Sequence, residues 1–371
     1  MVTYTTPGVY ISETEHGPGP IEAVSTSNTA FIGETQKGPL DEAKLIKSYA
    51  DFEQHYGGVT QSSWLSRAVQ QYFSNGGYCL YIARVDPTDS TPIEERYHAA
   101  FDLLDELTDI SLIAAPGRGT PEILRFGAQY CERRGDCFYI GEMAQSDHTV
   151  DDAREFLGSL NSQSTYAAVY FPWLVVKHEG KTLTVPPSGA IAGLYARTDR
   201  YRGVWKAPAG VEADLHNVIG LSAELNNEEH DLLNPLGVNV IRDLPNIGIV
   251  VMGARTVGTR TAGEWKYVPV RRTAIYIERS IDKGTQWAVF EPNGEALWKK
   301  LELAITAFMN QLYRQGAFAG MTSDKAFMVH CDNRVNTPDN YDPEVVYIQV
   351  GFAPLKPAEF IILRLKKYLG T

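Results

Sequence analysis

Three places in the chain hold residue types in an order that chemistry could use. The first is Ala115-Pro116-Gly117-Arg118-Gly119-Thr120-Pro121-Glu122, a glycine-rich turn between an apolar run and a helical pattern. Free N–H groups and the helix dipole at such a turn can cradle a phosphate. The fingerprint is incomplete: Glu122 stands where a dinucleotide site has its third glycine, and no Gly-Lys-Ser/Thr follows. Thr120 as N-cap, Pro121 in the first turn and Glu122 against the dipole explain the same residues as a helix start. The second place is His330-Cys331-Asp332, which has the residue types of a scrambled nucleophile–base set. Adjacent strand residues point to opposite faces, so His330 and Cys331 do not meet, and a buried cysteine beside a polar strand end is the expected role. The third is the polar side of a long helical pattern, with Lys299, Lys300 and Arg314 joined by Asn310 and Gln311. Lys299 and Asn310 are eleven residues apart, close to three turns, so these groups form one stripe: a solvated face, or a contact for an acidic partner. The other histidines stand singly, without HxxxH or HExxH spacing, and no Gly-x-Ser-x-Gly elbow occurs. The expectation is no catalytic residue, no metal site and no cofactor; the enzyme alternative is an α/β protein binding a phosphorylated ligand at 116–122.

The apolar periodicity supplies the scaffold for these groups. Strands are expected at Ala30–Gly33, Tyr78–Ala83, Ile110–Ala115, Cys137–Ile140, Tyr166–Phe171, Ile247–Met252, Phe327–His330 and Val345–Gly351. Between them, helical spacing runs through Trp64, Leu65, Ala68, Val69, Tyr72 and Phe73, with Ser62 or Ser63 as cap and Asn75-Gly76-Gly77 as stop. Further helices are expected over 93–107, Pro121–Arg134, 151–160, Ser188–Ala196 and Glu295–Gly316. The last has Leu297, Leu301, Ala304, Ile305, Phe308 and Leu312 as its apolar face, Asn293 as cap and Gly316 as stop. Residues 203–210 read as a loop. Alternating strands and helices of this length predict a mixed α/β fold built on a largely parallel sheet.

The 371 residues, 44% of them hydrophobic, suffice for a packed core and more than one domain. A net charge of -11 argues against nucleic-acid binding, which needs a concentrated basic footprint. Met1–Thr6 has neither a basic region nor an apolar stretch, so no signal peptide is expected. Apolar runs fall far short of the ~20 residues that span a bilayer. The four cysteines, Cys79, Cys131, Cys137 and Cys331, offer no CxxC pair, which fits assembly in a reducing cytoplasm.

The two ends of the chain are unlike its middle. Val9, Tyr10, Ile11 and Ser12 at one end, and Phe360, Ile361, Ile362, Leu363 and Leu365 at the other, are strong strand formers set apart by helix-breaking residues. After the first run comes His16-Gly17-Pro18-Gly19-Pro20, a segment that is neither helix nor strand interior. At ~3.3 Å per extended residue, positions 12–20 reach ~30 Å. The run Phe360–Leu365 is apolar on both faces, so it must be covered on both sides. Each end either tucks onto its own domain or adds to the sheet of another molecule.

From Gly253 onward the sequence resembles the contractile tail sheath family of phages, R-type pyocins and related injection systems. The matching blocks are Gly253-Ala254-Arg255-Thr256, Glu264 to Arg272, Ile277 to Ile281, Gly284 to Asn293 and Pro357-Ala358-Glu359-Phe360. Earlier ones are Pro7 to Ile11, Pro186-Pro187-Ser188-Gly189, Ala196-Arg197-Thr198-Asp199 and Trp205-Lys206-Ala207-Pro208. The resemblance implies a subunit that stacks in hexameric rings around a rigid inner tube and lends both terminal strands to neighbours. It implies an amino arm and linker over 1–20, an outer α/β domain over 21–250, a tube-facing domain over about 251–352 and a carboxy arm over 353–371. It places the attachment helix at 295–316, and the basic stripe read on that helix makes Lys299, Lys300 and Arg314 the expected tube contacts. It also implies partners: copies of itself, the inner tube, baseplate and terminator or cap proteins, with no nucleic acid and no membrane insertion. The particle would assemble in the bacterial cytoplasm as part of a phage tail or injection device. A shell-like scaffold without contraction is the other self-assembling alternative.

Overall fold

The computed structural model describes residues 19–58, 64–259, 262–337 and 344–359. Both terminal strand runs, Val9–Ser12 and Phe360–Leu365, lie outside the described residues, as do Ser62 and Ser63. The chain divides into two compact units: Ala23–Arg279 with the segment from Pro354, and Ser280–Ala353 with the residues before Ala23.

The larger unit is built on an eight-stranded sheet. Its strands are β1 (Thr29–Glu34), β2 (Ala43–Ile46), β3 (Leu80–Val85), β4 (Leu112–Ala114), β5 (Phe138–Glu142), β6 (Ala167–Phe171), and, later in the chain, two more. Between these lie a hairpin, β7 (Leu174–His178) with β8 (Lys181–Val185), and the short β9 (Gly220–Leu221), which together make a three-stranded sheet. The large sheet is completed by β10 (Val238–Leu244) and β11 (Gly248–Val251), giving the order β11-β10-β6-β5-β4-β1-β3-β2. Its six inner strands are parallel and each edge strand is antiparallel. Helices α1 (Tyr49–Tyr56), α2 (Trp64–Ser74), α3 (Ile93–Asp102), α4 (Pro121–Arg134), α5 (Val150–Leu160), α6 (Ser188–Arg202) and α7 (Asn227–Leu233) fill the connections. Side chains alternate across each strand, so the sheet has two cores. Phe31 joins Phe52, Leu65 and Tyr72 on one face, while Ala30 and Ile32 join Tyr97, Phe101 and Leu124 on the other.

The chain then runs through α8 (Val268–Thr285) and α9 (Glu295–Arg314), the short α10 (Ser323–Ala326), β12 (Phe327–His330) and β13 (Gln349–Phe352). The last two form an antiparallel pair, the second strand sheet-forming later than expected. Four further expectations need correction. Helix α3 stops at Asp102, because Leu104, Asp105 and Leu107 take three-residue turns instead. Helix α6 continues past Ala196 to Arg202, where Gly203 at φ 86 closes it by donating to the Asp199 carbonyl. The N-cap of α9 is Gly294, because Asn293 accepts from Trp298 Nε1 at 2.7 Å and donates to the Val345 carbonyl at 3.1 Å. The 18-residue α8 was absent from the sequence reading, since Pro269 and the valines beside it suggest extended chain, yet a proline is tolerated in a first helical turn.

Candidate functional site

The glycine-rich turn lies where a ligand would bind an open α/β sheet, beyond the carboxyl ends of β1 and β4, where the strand order reverses. Its helix start forms as expected: Thr120 Oγ1 accepts from the Ile123 N–H, and Pro121 occupies the first turn. The anion position is filled from within. Glu142, at the end of β5 and 3% exposed, accepts from the Gly117 N–H with one oxygen and from the Ser188 N–H with the other. Burial pushes its carboxyl up to about 7, against the pull of those donors. Gly117 at φ 84 and Gly119 let the turn close, since a Cβ on Gly119 would meet the Met143 carbonyl oxygen at 2.1 Å. Arg118 turns to Glu34 Oε2 at 2.8 Å and Tyr97 Oη at 3.1 Å. The alternative of a phosphorylated ligand at 116–122 thus gains no support: the Gly117 N–H of that turn is already taken by a carboxylate of the chain.

At the second candidate, Cys331 is 1% exposed and its N–H donates to Glu302 Oε2. Burial, with Glu302 and Asp332 nearby, pushes the thiol up to about 11, which disfavours the thiolate. Asp332 instead accepts from Arg334, whose hydrogen bonds hold that carboxyl below the usual range. Among the described residues no group of three or more His, Cys, Asp or Glu side chains is placed to hold a metal ion.

The third candidate becomes a face. Leu297, Trp298 and Leu301 of α9 pack with Cys331 and, behind it, Trp287 and Ile348. On the opposite side Lys299, Lys300 and Arg314 are exposed, spread over 15 residues or about 22 Å of helix. Of the two acidic side chains of α9, Glu302 accepts from the Cys331 N–H, while Glu295, exposed and one turn before Lys299, accepts from Asn333. Leu303, 61% exposed, and Ala307 sit among the cations, and with Lys300 they border a groove closed on its far side by Gly19, Pro20 and Ile21.

What the sequence reading missed are the ties at the roots of the two chain ends. Near the amino end, Ile21 is buried against Gly284, where an added Cβ would come within 2.7 Å. Thr26 donates to Asp199 Oδ2 at 2.7 Å, and its carbonyl accepts from Arg272. Arg272 and Asp199 form a two-pronged pair at 3.0 and 2.6 Å, only 4% and 3% exposed, with the guanidinium over the Tyr195 ring. Near the carboxy end, Arg255 grips Glu359 in the same way, at 2.8 and 2.5 Å. The signal was available: the four charges of these two pairs sit in four separate blocks quoted for the family resemblance.

Comparison with known proteins agrees along the length of the chain. The model of the phage tail sheath protein central domain matches residues 96–257, and that of the phage tail sheath C-terminal domain matches 261–366. The tail sheath protein of Vibrio phage KVP40 is 26% identical over 208 residues, 55% of this chain but 30% of the phage protein. The chain thus spans under a third of the length of that curated relative. The anti-feeding prophage helical sheath in its contracted state superposes with a TM-score of 0.82 at 32% identity, covering 98% of this chain and 99% of that one. The sheath complex of PVC, an extracellular contractile injection system, gives 0.81 at 29% identity over 100% and 99%.

Proposed function

The chain belongs to the contractile tail sheath family, and on that premise we propose that it is a structural, force-generating sheath subunit. Copies polymerise as stacked hexameric rings around an inner tube and, on contracting, drive the tube through a target envelope. The observation that carries this reading is the likeness to a contracted helical sheath over 98% of this chain and 99% of that one.

The local physics supports it. Among the described residues β12 and β13 pair only with each other, and α9 and Phe318 pack against this ribbon, leaving its outer edges to be completed by further strands. Strand runs 9–12 and 360–365 of neighbouring copies are suited to that task. Main-chain pairing of an added strand gives ~1 kcal/mol per net hydrogen bond, and alternate side chains fix its register. Val9 and Ile11 add ~1.5–3 kcal/mol each when fully buried. Such joints hold while the wider polar contacts between bodies exchange. In this reading the domain over about 251–352 faces the tube, and Lys299, Lys300 and Arg314 present the cationic side of α9 to an acidic tube surface. Baseplate and terminator or cap proteins bound the polymer, which assembles in the bacterial cytoplasm. Contraction draws on free energy stored in the extended lattice, so no nucleotide is needed, in keeping with the filled turn at 116–122. Negative-stain microscopy of the purified chain tests the proposal: striated hollow cylinders are expected, whereas a discrete monomer that gains thermal stability with nucleotides contradicts it.

A further inference from the structure

We propose that Asn239, Arg255 and Glu359 form an anchor that fixes the exit of the carboxy-terminal segment to the eight-stranded sheet, with Asn239 and Arg255 as positioning residues. The inference rests on the sheath reading for its purpose, though not for its geometry. Glu359 follows the last strand by seven residues, and Phe360, the first residue of the apolar run, comes next in the chain. Its carboxylate takes both prongs of the Arg255 guanidinium, and the two side chains are 17% and 11% exposed. The third guanidinium nitrogen of Arg255 donates to the Asn234 carbonyl. The Arg255 backbone is held in turn, its N–H donating to Asn239 Oδ1 and its carbonyl accepting from Asn239 Nδ2, both at 2.7 Å. Asn239 is fully buried within β10, and the same Nδ2 also reaches the Val169 carbonyl of β6 at 3.2 Å.

A continuous route of hydrogen bonds therefore runs from the end of the described chain into two inner strands. Gly253 permits it, because a Cβ there would lie 2.8 Å from Asn239 Oδ1. A two-pronged charged pair resists rotation as well as separation, which a joint under tension requires. The contrast is the pair Arg202–Glu212, 51% and 57% exposed, which leads to no buried partner among the described residues. Glu359 lies beyond every strand and helix of the described fold, so holding it serves what comes after it. A second tie, from Lys356 to Glu264, lies in the same stretch.

Hydrogen–deuterium exchange on the full, unassembled chain tests the anchor at the side-chain N–H groups of Arg255, which donate to Glu359, and at the amide of residue 255, which donates to Asn239 Oδ1. Glu359→Gln keeps the side-chain shape, and exchange there is expected to quicken about tenfold or more, the equivalent of losing a charge-assisted hydrogen bond. Arg255→Lys, which keeps the charge and loses the fork, should fall between that and the parent. Glu359→Gln should also cut the yield of intact sheaths about tenfold while the melting temperature stays near the parent's. Exchange within about twofold of the parent overturns the anchor, as do parent-like sheaths from a Glu359→Gln chain whose exchange has quickened. A parent chain that forms no sheaths overturns the sheath reading alone, because the exchange measurement still decides the anchor.

Discussion

The glycine-rich turn and the roots of the chain ends use the same chemistry to opposite purposes. At the turn, backbone N–H groups that could receive a ligand are closed over the buried carboxylate of Glu142. At the roots, the anions Asp199 and Glu359 lie far along the chain from the arginines that hold them; the Arg255–Glu359 pair grips the residue before a terminal strand run, and the Arg272–Asp199 pair holds Thr26 at the entry to β1. The first arrangement seals the crevice where an α/β enzyme would work; the second turns the body into a mount for something that leaves it. In the sheath reading proposed above, the doubly wound sheet is the block and the sites that matter for function lie at its periphery.

Variants of the chain put this contrast to the test. Deleting residues 1–12 or 359–371 should leave a folded, soluble protein and abolish long sheaths in negative stain; abundant long sheaths from either truncation would erase the distinction between block and arms. Reversing Lys299, Lys300 and Arg314 together to glutamate should remove extended particles while changing stability by less than ~0.5 kcal/mol, since all three are exposed; unchanged particle counts would return α9 to a solvated face. Arg272→Ala leaves Asp199 buried without its counter-charge and should cost about 3–5 kcal/mol in denaturant unfolding. Gly119→Ala drives a methyl group against the Met143 carbonyl and should cost about 1–3 kcal/mol. The last effect is a pH slope. The carboxyl of Glu142 is raised by folding to about 7, so its protonated form favours the native state. Its stabilising contribution is full below the ordinary glutamate range and fades as pH rises through about 7. Glu142→Gln should flatten that part of the stability profile, and an unchanged slope would mean that the carboxyl is not what fills the turn.

The sequence exposed much of this layout wherever local chemistry and tertiary demand agree. Helix α4 was placed to the residue, because Thr120, Pro121 and Glu122 start it and Gly135, at φ 74, stops it. The apolar face of α9 was equally plain from its spacing. The hairpin β7–β8 was overlooked although Glu179-Gly180, both at positive φ, make its turn; a glutamate is an uncommon residue there. Helix α8 escaped because Pro269 masks its start and because its arginines look like surface charge. In the structure Arg271 lies over the Trp265 ring, Arg272 pairs with Asp199, and Arg279 donates to Ser111 and Thr108. Pairings separated by 73 and 104 residues leave no periodic trace in a sequence. Cys131 and Cys137 are a similar case: irregular in spacing, their sulfurs nevertheless stand 3.4 Å apart in the core.

The most direct test of the account is a cryo-EM reconstruction of sheaths assembled from the full chain, traced through residues 9–12 and 360–365. The account predicts that both runs pair with strands of adjoining copies. Density showing both ends folded back solely onto their own subunit would contradict it.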